Sequence, residues 1–176
     1  MSYGILALRV VLGTTMAAHG AQKILGWFGG GGPRGTADGL AQLRFRAPLL
    51  MAVAAGLAEL GGGVLLAAGL FTPFAALAIA IVMVNAIATV HWPNGFWSSN
   101  GGYEFNLLIF TAAAAVAAIG PGRFSFDALI GWADNISGLW WGVGVAGLSL
   151  LISATTLTLG RRTSDAHTRP RVAAQQ

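Results

Sequence analysis

The chain has 176 residues, of which 55% are hydrophobic, only 9% are charged and none is cysteine. This composition excludes an intrinsically disordered protein and is typical of an integral membrane protein with little room for a soluble domain. The lack of cysteine excludes iron–sulfur clusters, thiolate metal sites and disulfides within this chain. Ten basic residues stand against six acidic ones, but they are scattered, which favours contact with anionic lipid over nucleic acid.

Five apolar stretches are long enough, or nearly so, to cross a bilayer, which takes about 20 residues. They are residues 3–25, 48–69, 73–91, 103–119 and 139–160. We therefore predict an all-α helical membrane bundle, with a four-helix core in residues 1–138 and an additional helix in 139–160. The basic segment 161–176 is predicted to be a disordered tail.

The first span ends in His19-Gly20-Ala21-Gln22-Lys23. His19 and Lys23 are four residues apart and Gln22 lies three after His19, so a helix places all three on one face. Arg9 precedes Lys23 by close to four turns and belongs to the same broad face. Ionisable groups inside a span usually mark a functional site and point into the bundle. The simpler alternative is that Lys23 reaches the lipid headgroups and His19 hydrogen-bonds to a neighbouring helix.

The second span carries Glu59 near its middle, with glycines on the same face that let another helix approach closely. A carboxylate at this depth is either protonated or paired with a cation. The available cations are Arg9, Lys23 and His19, and we predict a buried charge pair of Arg9 and Glu59. A salt bridge that only fixes helix packing is the alternative interpretation.

Counting spans places many of the polar residues on one side of the membrane, which we call the S side. The first and third spans end on this side, and the second and fourth spans begin on it. We predict that one S-side pocket is lined by four candidate catalytic residues, namely His19, Lys23, His91 and Glu104. Its ligand is predicted to contact five further residues: Gln22, Trp27, Asn85, Trp92 and Asn106. Asn85 and His91 do not share one stripe of their helix, so not every residue can face the same point.

The break between the fourth and fifth spans contains Gly120-Pro121-Gly122, which ends a helix, followed by Ser125 and Asp127. Either of these two residues is a candidate N-cap for a short surface helix. The fifth span has no ionisable residue. We expect it to serve packing or lipid contact.

Orientation follows from the arginines. The loop 26–47 and the tail 161–176 are both rich in arginine and are separated by four spans, so they lie on the same side. The positive-inside rule predicts that this S side is cytoplasmic and that the N-terminus is outside.

Together these motifs resemble the DoxX family of small bacterial and archaeal membrane proteins. The resemblance is carried by His19-Gly20-x-Gln22-Lys23, Glu59 with Gly61-Gly62-Gly63, Gly69-Leu70-Phe71-Thr72, Gly102-Tyr103-Glu104-Phe105-Asn106 and the segment 120–127. It covers roughly residues 3–129. Pro73 stands where a basic residue is common in the family, and the fifth span is an addition. The resemblance implies a four-helix membrane core in the bacterial or archaeal cell membrane and a link to redox chemistry: thiosulfate–quinone oxidoreduction, quinone or catechol detoxification, or anchoring of oxidative-stress enzymes.

The leading hypothesis is a quinone-linked subunit of a redox or oxidative-stress complex, because a quinone needs an apolar cleft in the bilayer, polar partners for its oxygens and proton donors. One alternative is a scaffold that anchors soluble partner enzymes, and another is a small transporter that uses Glu59 as a proton carrier. A further alternative is a haem protein in which His19 and His91 are the two ligands of the haem iron. The lipid bilayer is the expected partner, together with soluble redox enzymes or further copies of the chain.

Overall fold

The computed structural model describes residues 2–161, and every regular element in that part of the chain is a helix. The predicted all-α fold is thereby confirmed. Residues 162–176, which make up nearly all of the tail that we predicted to be disordered, lie outside the described residues. In chain order the helices are α1 (Ser2–Ile24), α2 (Gly32–Gln42), α3 (Pro48–Ala68), α4 (Thr72–Ala86), α5 (Glu104–Ile119), α6 (Phe126–Leu129) and α7 (Leu139–Gly160).

Four helical segments of the described chain are long and apolar enough to cross a membrane: Tyr3–Ile24, Pro48–Ala68, Thr72–Asn94 and Leu139–Gly160. Helix α5 is equally apolar but has 16 residues, which is about 24 Å against a hydrocarbon core of about 30 Å. The predicted spans thus correspond to α1, α3, α4, α5 and α7. The third continues past its predicted end at His91, through a π turn (Ile87–His91) and a 3₁₀ turn (Trp92–Asn94).

Helices α1 and α3 pack most extensively against each other. A Cβ atom placed on Gly20 would lie 2.2 Å from the backbone nitrogen of Leu60, and one on Gly63 would lie 2.4 Å from the backbone nitrogen of Ala17. Only glycine permits so close an approach of two helix backbones. These contacts fix the antiparallel register of α1 against α3 and, through it, the level at which each polar side chain lies.

Helix α4 lies at the centre of the bundle, since it contacts α3, α5 and α7. Four of its residues, Ala75, Ala76, Ile79 and Ala80, are fully buried and form much of the apolar core. Helix α7 contacts α4 and α5, whereas α2 packs on α3 and α1 at the S side. The molecule therefore consists of a central helix in contact with three others, with α1 and α2 packed on α3.

Asp127 caps a helix that is distant in sequence. Its Oδ1 accepts a hydrogen bond from the backbone N–H of Phe71 (2.8 Å), and its Oδ2 accepts from the N–H (3.0 Å) and hydroxyl (2.7 Å) of Thr72. These groups are at the start of α4, where a negative charge is stabilising. Of the two candidate caps for α6, Ser125 fills that role, since its Oγ accepts from the N–H of Ala128.

Arg9 has the complementary position at the end of α3. Its Nη1 donates to the carbonyl oxygens of Leu66 (3.2 Å) and Ala67 (3.1 Å), and its Nη2 donates to that of Phe124 (2.6 Å). The side chain is fully buried. A cation at the C-terminal end of a helix complements its dipole and satisfies carbonyl groups that lack partners within the helix.

The predicted pairing of Arg9 with Glu59 is wrong, although both residues are buried. The ion pair that forms joins Glu59 to Lys23. The glycine contacts explain the difference, because the register places Lys23 beside Gly56, less than one turn from Glu59. Arg9 instead lies beside Gly69, ten residues or about 15 Å further along α3 than Glu59.

Candidate functional site

A cavity of about 470 Å³ lies between α1, α3, α4 and α5 at the S side, and we call it the central pocket. The loop before α5 forms its rim through Ser98, Gly101 and Gly102. The walls combine apolar and polar side chains. The apolar ones are Met16, Met83, Ala86, Phe105 and Ile109, and the polar ones are His19, Lys23, Glu59, His91 and Asn106.

The ion pair of Lys23 and Glu59 forms one wall of the central pocket. Lys23 Nζ donates to Glu59 Oε1, and the lysine side chain is 30% exposed whereas the glutamate is 2% exposed. The second carboxylate oxygen, Oε2, is buried and has no hydrogen-bond partner among the described residues. An unpaired buried acceptor is unfavourable. Glu59 therefore offers an acceptor that a ligand or a water molecule in the pocket can satisfy.

His19 is oriented by its own helix. Its Nδ1 lies 3.1 Å from Gln22 Oε1, and the amide nitrogen of Gln22 donates to the carbonyl oxygen of Phe28 (3.3 Å). Because the amide oxygen accepts, Nδ1 carries the hydrogen. The ring also packs edge-on against Phe105, with the centroids 6.4 Å apart. This leaves Nε2 of His19 without a hydrogen bond within the described residues.

His91 has the same tautomer for a similar reason. Its Nδ1 lies 2.7 Å from the carbonyl oxygen of Gly101, which also accepts a hydrogen bond from the side-chain amide of Asn94 (3.2 Å). A carbonyl only accepts, so Nδ1 is the protonated nitrogen. His91 ends the π turn of the third span, a feature that is frequent at functional sites. Both imidazoles thus bind protein oxygen through Nδ1 and keep Nε2 available.

Glu104, which we predicted to line the pocket, instead supports its rim. Its Oε2 accepts hydrogen bonds from the backbone N–H (3.1 Å) and the hydroxyl (3.0 Å) of Ser98. Ser98 lines the pocket and Glu104 does not. The carboxylate at the start of α5 is drawn to the short turn Ser98–Asn100, whose free N–H groups attract it.

The five predicted ligand contacts are distributed differently. Asn106 lines the pocket, and Gln22 positions His19. Asn85 faces α7, where its amide nitrogen donates to Ser153 Oγ (3.0 Å) and to the carbonyl of Ile81. Trp27 packs edge-on against Phe28, and Trp92 stacks on Tyr103 at 5.2 Å. Neither tryptophan lines the pocket, since both are exposed at the level where indole rings favour the bilayer interface.

Several lining residues were not predicted. Met16, Met83 and Phe105 belong to apolar stretches in which every position looks alike, so nothing in the sequence distinguishes a pocket wall from the core. Glu59 did give a signal, as a carboxylate in mid-span, but we predicted it to be in a buried charge pair with Arg9 rather than in the pocket. The register of α1 and α3 is what places it there.

A family model described as DoxX matches residues 4–92, just over half of the chain. The matched region extends from α1 almost to the end of the third span and includes His19, Lys23, Glu59 and His91. Helix α5, with Asn106, and α7 lie beyond it. Comparisons with curated proteins and with solved structures find no match.

Proposed function

Since the chain belongs to the DoxX family and is a multi-pass membrane protein, we propose that its central pocket binds a quinone or a similar small aromatic molecule. In this proposal the protein is the membrane subunit of a redox or oxidative-stress complex. The electrons come from a partner redox enzyme, and this chain holds the aromatic ring and manages its protons.

The observation that carries the proposal is the combination of groups in one cavity. A pocket of about 470 Å³ falls within the usual range for small-molecule sites, about 300–1,000 Å³. Met16, Met83 and Ile109 provide apolar surface for a flat ring, and thioethers adapt well to aromatic faces. Lys23, His19 and His91 provide polar contacts on the same cavity.

Each polar group has a distinct part. A bound quinone accepts two electrons and two protons. Lys23 uses one of its three N–H donors on Glu59 and keeps the others for an oxygen of the ring. Nε2 of His19 or His91 can take up a proton from the S side and donate it within the pocket, while Nδ1 stays fixed on its protein oxygen. Glu59 holds the positive charge of Lys23 in place in a medium of low dielectric constant.

The test measures quinone binding to the purified full-length protein in nanodiscs of neutral lipid. A short-chain ubiquinone analogue is titrated and binding is followed by calorimetry for the parent, His91→Ala and Lys23→Met. Arg123→Ala is the control, because Arg123 is not among the residues of the central pocket. We expect each pocket variant to lose roughly tenfold in affinity, because each removes one hydrogen bond to a polar group of the ligand. The control should lose none.

Equal affinity in all four proteins would overturn the proposal. A visible haem spectrum in the purified protein would replace it with haem held by His19 and His91. Co-purification of soluble enzymes with a protein that binds no aromatic ligand would favour the scaffold.

A specific observation favours a second candidate, proton-coupled transport, namely the buried Lys23–Glu59 pair. Here Glu59 would carry the proton, and the pocket would bind the transported solute. Proteoliposomes that contain a pH-sensitive dye distinguish the two functions. Solute-driven proton movement that disappears in Glu59→Gln supports the transporter, whereas no proton movement in liposomes that bind quinone supports the redox role.

A further inference from the structure

A second cavity, of about 260 Å³, lies on the other side of α3 and α4 and shares no residue with the central pocket. Helices α3, α4 and α7 provide its walls, and the segment that follows α2 contributes Phe45. Most of its lining is apolar, for example Met51, Ala54 and Ile81. We call it the α3–α7 groove. The packing of the bundle explains why it exists, since α7 lies against α4 and α5 while α2 lies against α3 and α1.

The S-side end of the groove is closed by a backbone contact between two distant segments. The N–H of Arg46 donates to the carbonyl of Gly160 (2.8 Å), and Arg161 Nε donates to the carbonyl of Leu43 (3.1 Å). Phe45 and Arg161 form an isolated antiparallel bridge there. At the other wall, Asn85 holds α7 on α4 through Ser153. The groove is therefore a built feature with a fixed end and fixed walls.

Arginines are gathered at that closed end. The guanidinium carbon of Arg161 lies 6.0 Å from the ring centroid of Phe45, which is buried and lines the groove. Arg44 and Arg46, on either side of Phe45, are exposed. Nε of Arg46 and of Arg161 is occupied by backbone carbonyls. Within the described residues, the terminal guanidinium nitrogens of all three arginines make no hydrogen bond.

The depth of the groove matches the bilayer. Its α3 residues begin at Met51, one turn after the helix starts at Pro48, and end at Ala58, so they span about 5–15 Å below the start of the helix. That is the level of acyl chains, and the arginines lie at the level of headgroups. A volume of about 260 Å³ is smaller than a typical site for a whole ligand of about 300–1,000 Å³, so it accommodates a segment of one chain.

We propose that the α3–α7 groove binds an anionic phospholipid, with a segment of one acyl chain in the apolar cavity and its phosphate against Arg44, Arg46 and Arg161. Positive charge above an apolar cavity is complementary to a lipid with a net negative headgroup, whereas the phosphate of a zwitterionic lipid is offset by the cation of the same headgroup. The site uses the fifth span, which lies outside the family match. It is independent of the proposed function of the central pocket.

The test is native mass spectrometry of the full-length protein in a neutral detergent, titrated with dioleoylphosphatidylglycerol and, separately, with dioleoylphosphatidylcholine. The parent is expected to retain one phosphatidylglycerol and no phosphatidylcholine. In Arg44→Asn/Arg46→Gln/Arg161→Gln, affinity should fall by roughly fivefold for each arginine removed. Arg123→Gln, outside the groove, should bind as the parent does.

A second pair of variants tests the chain-binding half of the site. Ala54→Phe fills the groove with the arginines intact, and Ala154→Phe places the same ring on α7 outside the groove, at another exposed alanine. We expect Ala54→Phe alone to lose phosphatidylglycerol. Thermal unfolding in detergent without lipid shows whether each variant is folded, and added phosphatidylglycerol should raise the Tm of the parent and of Ala154→Phe only.

Three results would overturn the proposal. The first is unchanged retention in the triple arginine variant, and the second is equal retention in Ala54→Phe and Ala154→Phe. The third is displacement of phosphatidylglycerol by glycerol phosphate at equal concentration, which would show a phosphate site without a lipid chain.

Discussion

Lys23 of α1 and Glu59 of α3 form an ion pair across the closest helix contact of the bundle, in the wall of the central pocket. The two partners differ in exposure, since the glutamate is almost fully buried and the lysine is partly open to the pocket mouth. Loss of one partner therefore has different consequences from loss of the other.

We predict that Lys23→Met destabilises the fold more than Glu59→Gln. Without Lys23, a buried carboxylate remains with no counter-ion, a loss of about 3–5 kcal/mol. Without the Glu59 charge, Lys23 can turn toward the interface and the loss is smaller, about 1–3 kcal/mol. The double variant Lys23→Met/Glu59→Gln should be more stable than Lys23→Met alone, because it leaves no unpaired buried charge. Denaturant titrations in one detergent measure all four proteins, and a double variant no better than Lys23→Met would argue against the pairing.

The close approach of α1 and α3 gives a second prediction. A Cβ on Gly63 would lie 2.4 Å from the Ala17 nitrogen, whereas one on Gly61 in the same helix meets nothing within 4 Å. Gly63→Ala should therefore destabilise the protein by about 1–3 kcal/mol or more, because a whole helix must move. Gly61→Ala should be neutral or stabilising by up to about 1 kcal/mol. Thermal unfolding of both variants checks the difference, and similar midpoints would contradict the packing.

These helices show what the sequence could and could not predict. The number and type of spans followed from hydropathy, because a span needs only length and apolar composition. The partner of Glu59 did not follow: we predicted Arg9 from three available cations, and the register of α1 on α3 selects Lys23 instead. That register depends on backbone contacts at single glycines, and glycines are too frequent in this chain for any one to stand out.

The pocket was predicted in the same partial way. His19, Lys23, His91 and Asn106 do line one cavity, as counting spans to find the S side had suggested. Counting spans gives a level in the membrane but not a direction around each helix. We consequently predicted that Asn85 contacts the ligand, whereas its side chain lies on another face of α4 and contacts α7.

A third prediction concerns Gly69, which has φ of +68° and faces Arg9. In Gly69→Ala the new Cβ would lie 2.1 Å from Arg9 Nη1, in addition to the left-handed strain of about 1–2 kcal/mol. Gly29 is a matched control, since its φ is +77° and a Cβ there meets nothing within 4 Å. Gly69→Ala should thus lower stability by at least about 1 kcal/mol more than Gly29→Ala. Equal unfolding free energies would show that Arg9 does not occupy the end of α3.

Asp127 provides the fourth prediction. Asp127→Ala removes the acceptors for three donors at the start of α4 and should lower the unfolding free energy by about 2 kcal/mol or more. Asp127→Asn keeps one acceptor oxygen and should lower it less. Asp134→Ala, an exposed aspartate in the segment before α7, is the control. If Asp127→Ala unfolds at the same denaturant concentration as Asp134→Ala, the cap has no energetic role.

The last prediction is the orientation of the bundle in the membrane. The S side carries Arg44, Arg46 and Arg161 close to span ends, and short loops with arginine are retained in the cytoplasm. Since the natural chain has no cysteine, single cysteines give a clean readout. Ser99→Cys lies in the exposed S-side loop and Asp134→Cys in the exposed segment before α7 on the opposite side. In intact cells a membrane-impermeant maleimide should label Asp134→Cys only, and Ser99→Cys should react after the cells are opened. Labelling of Ser99→Cys in intact cells would reverse the orientation, and it would place the proton supply of the central pocket outside the cell.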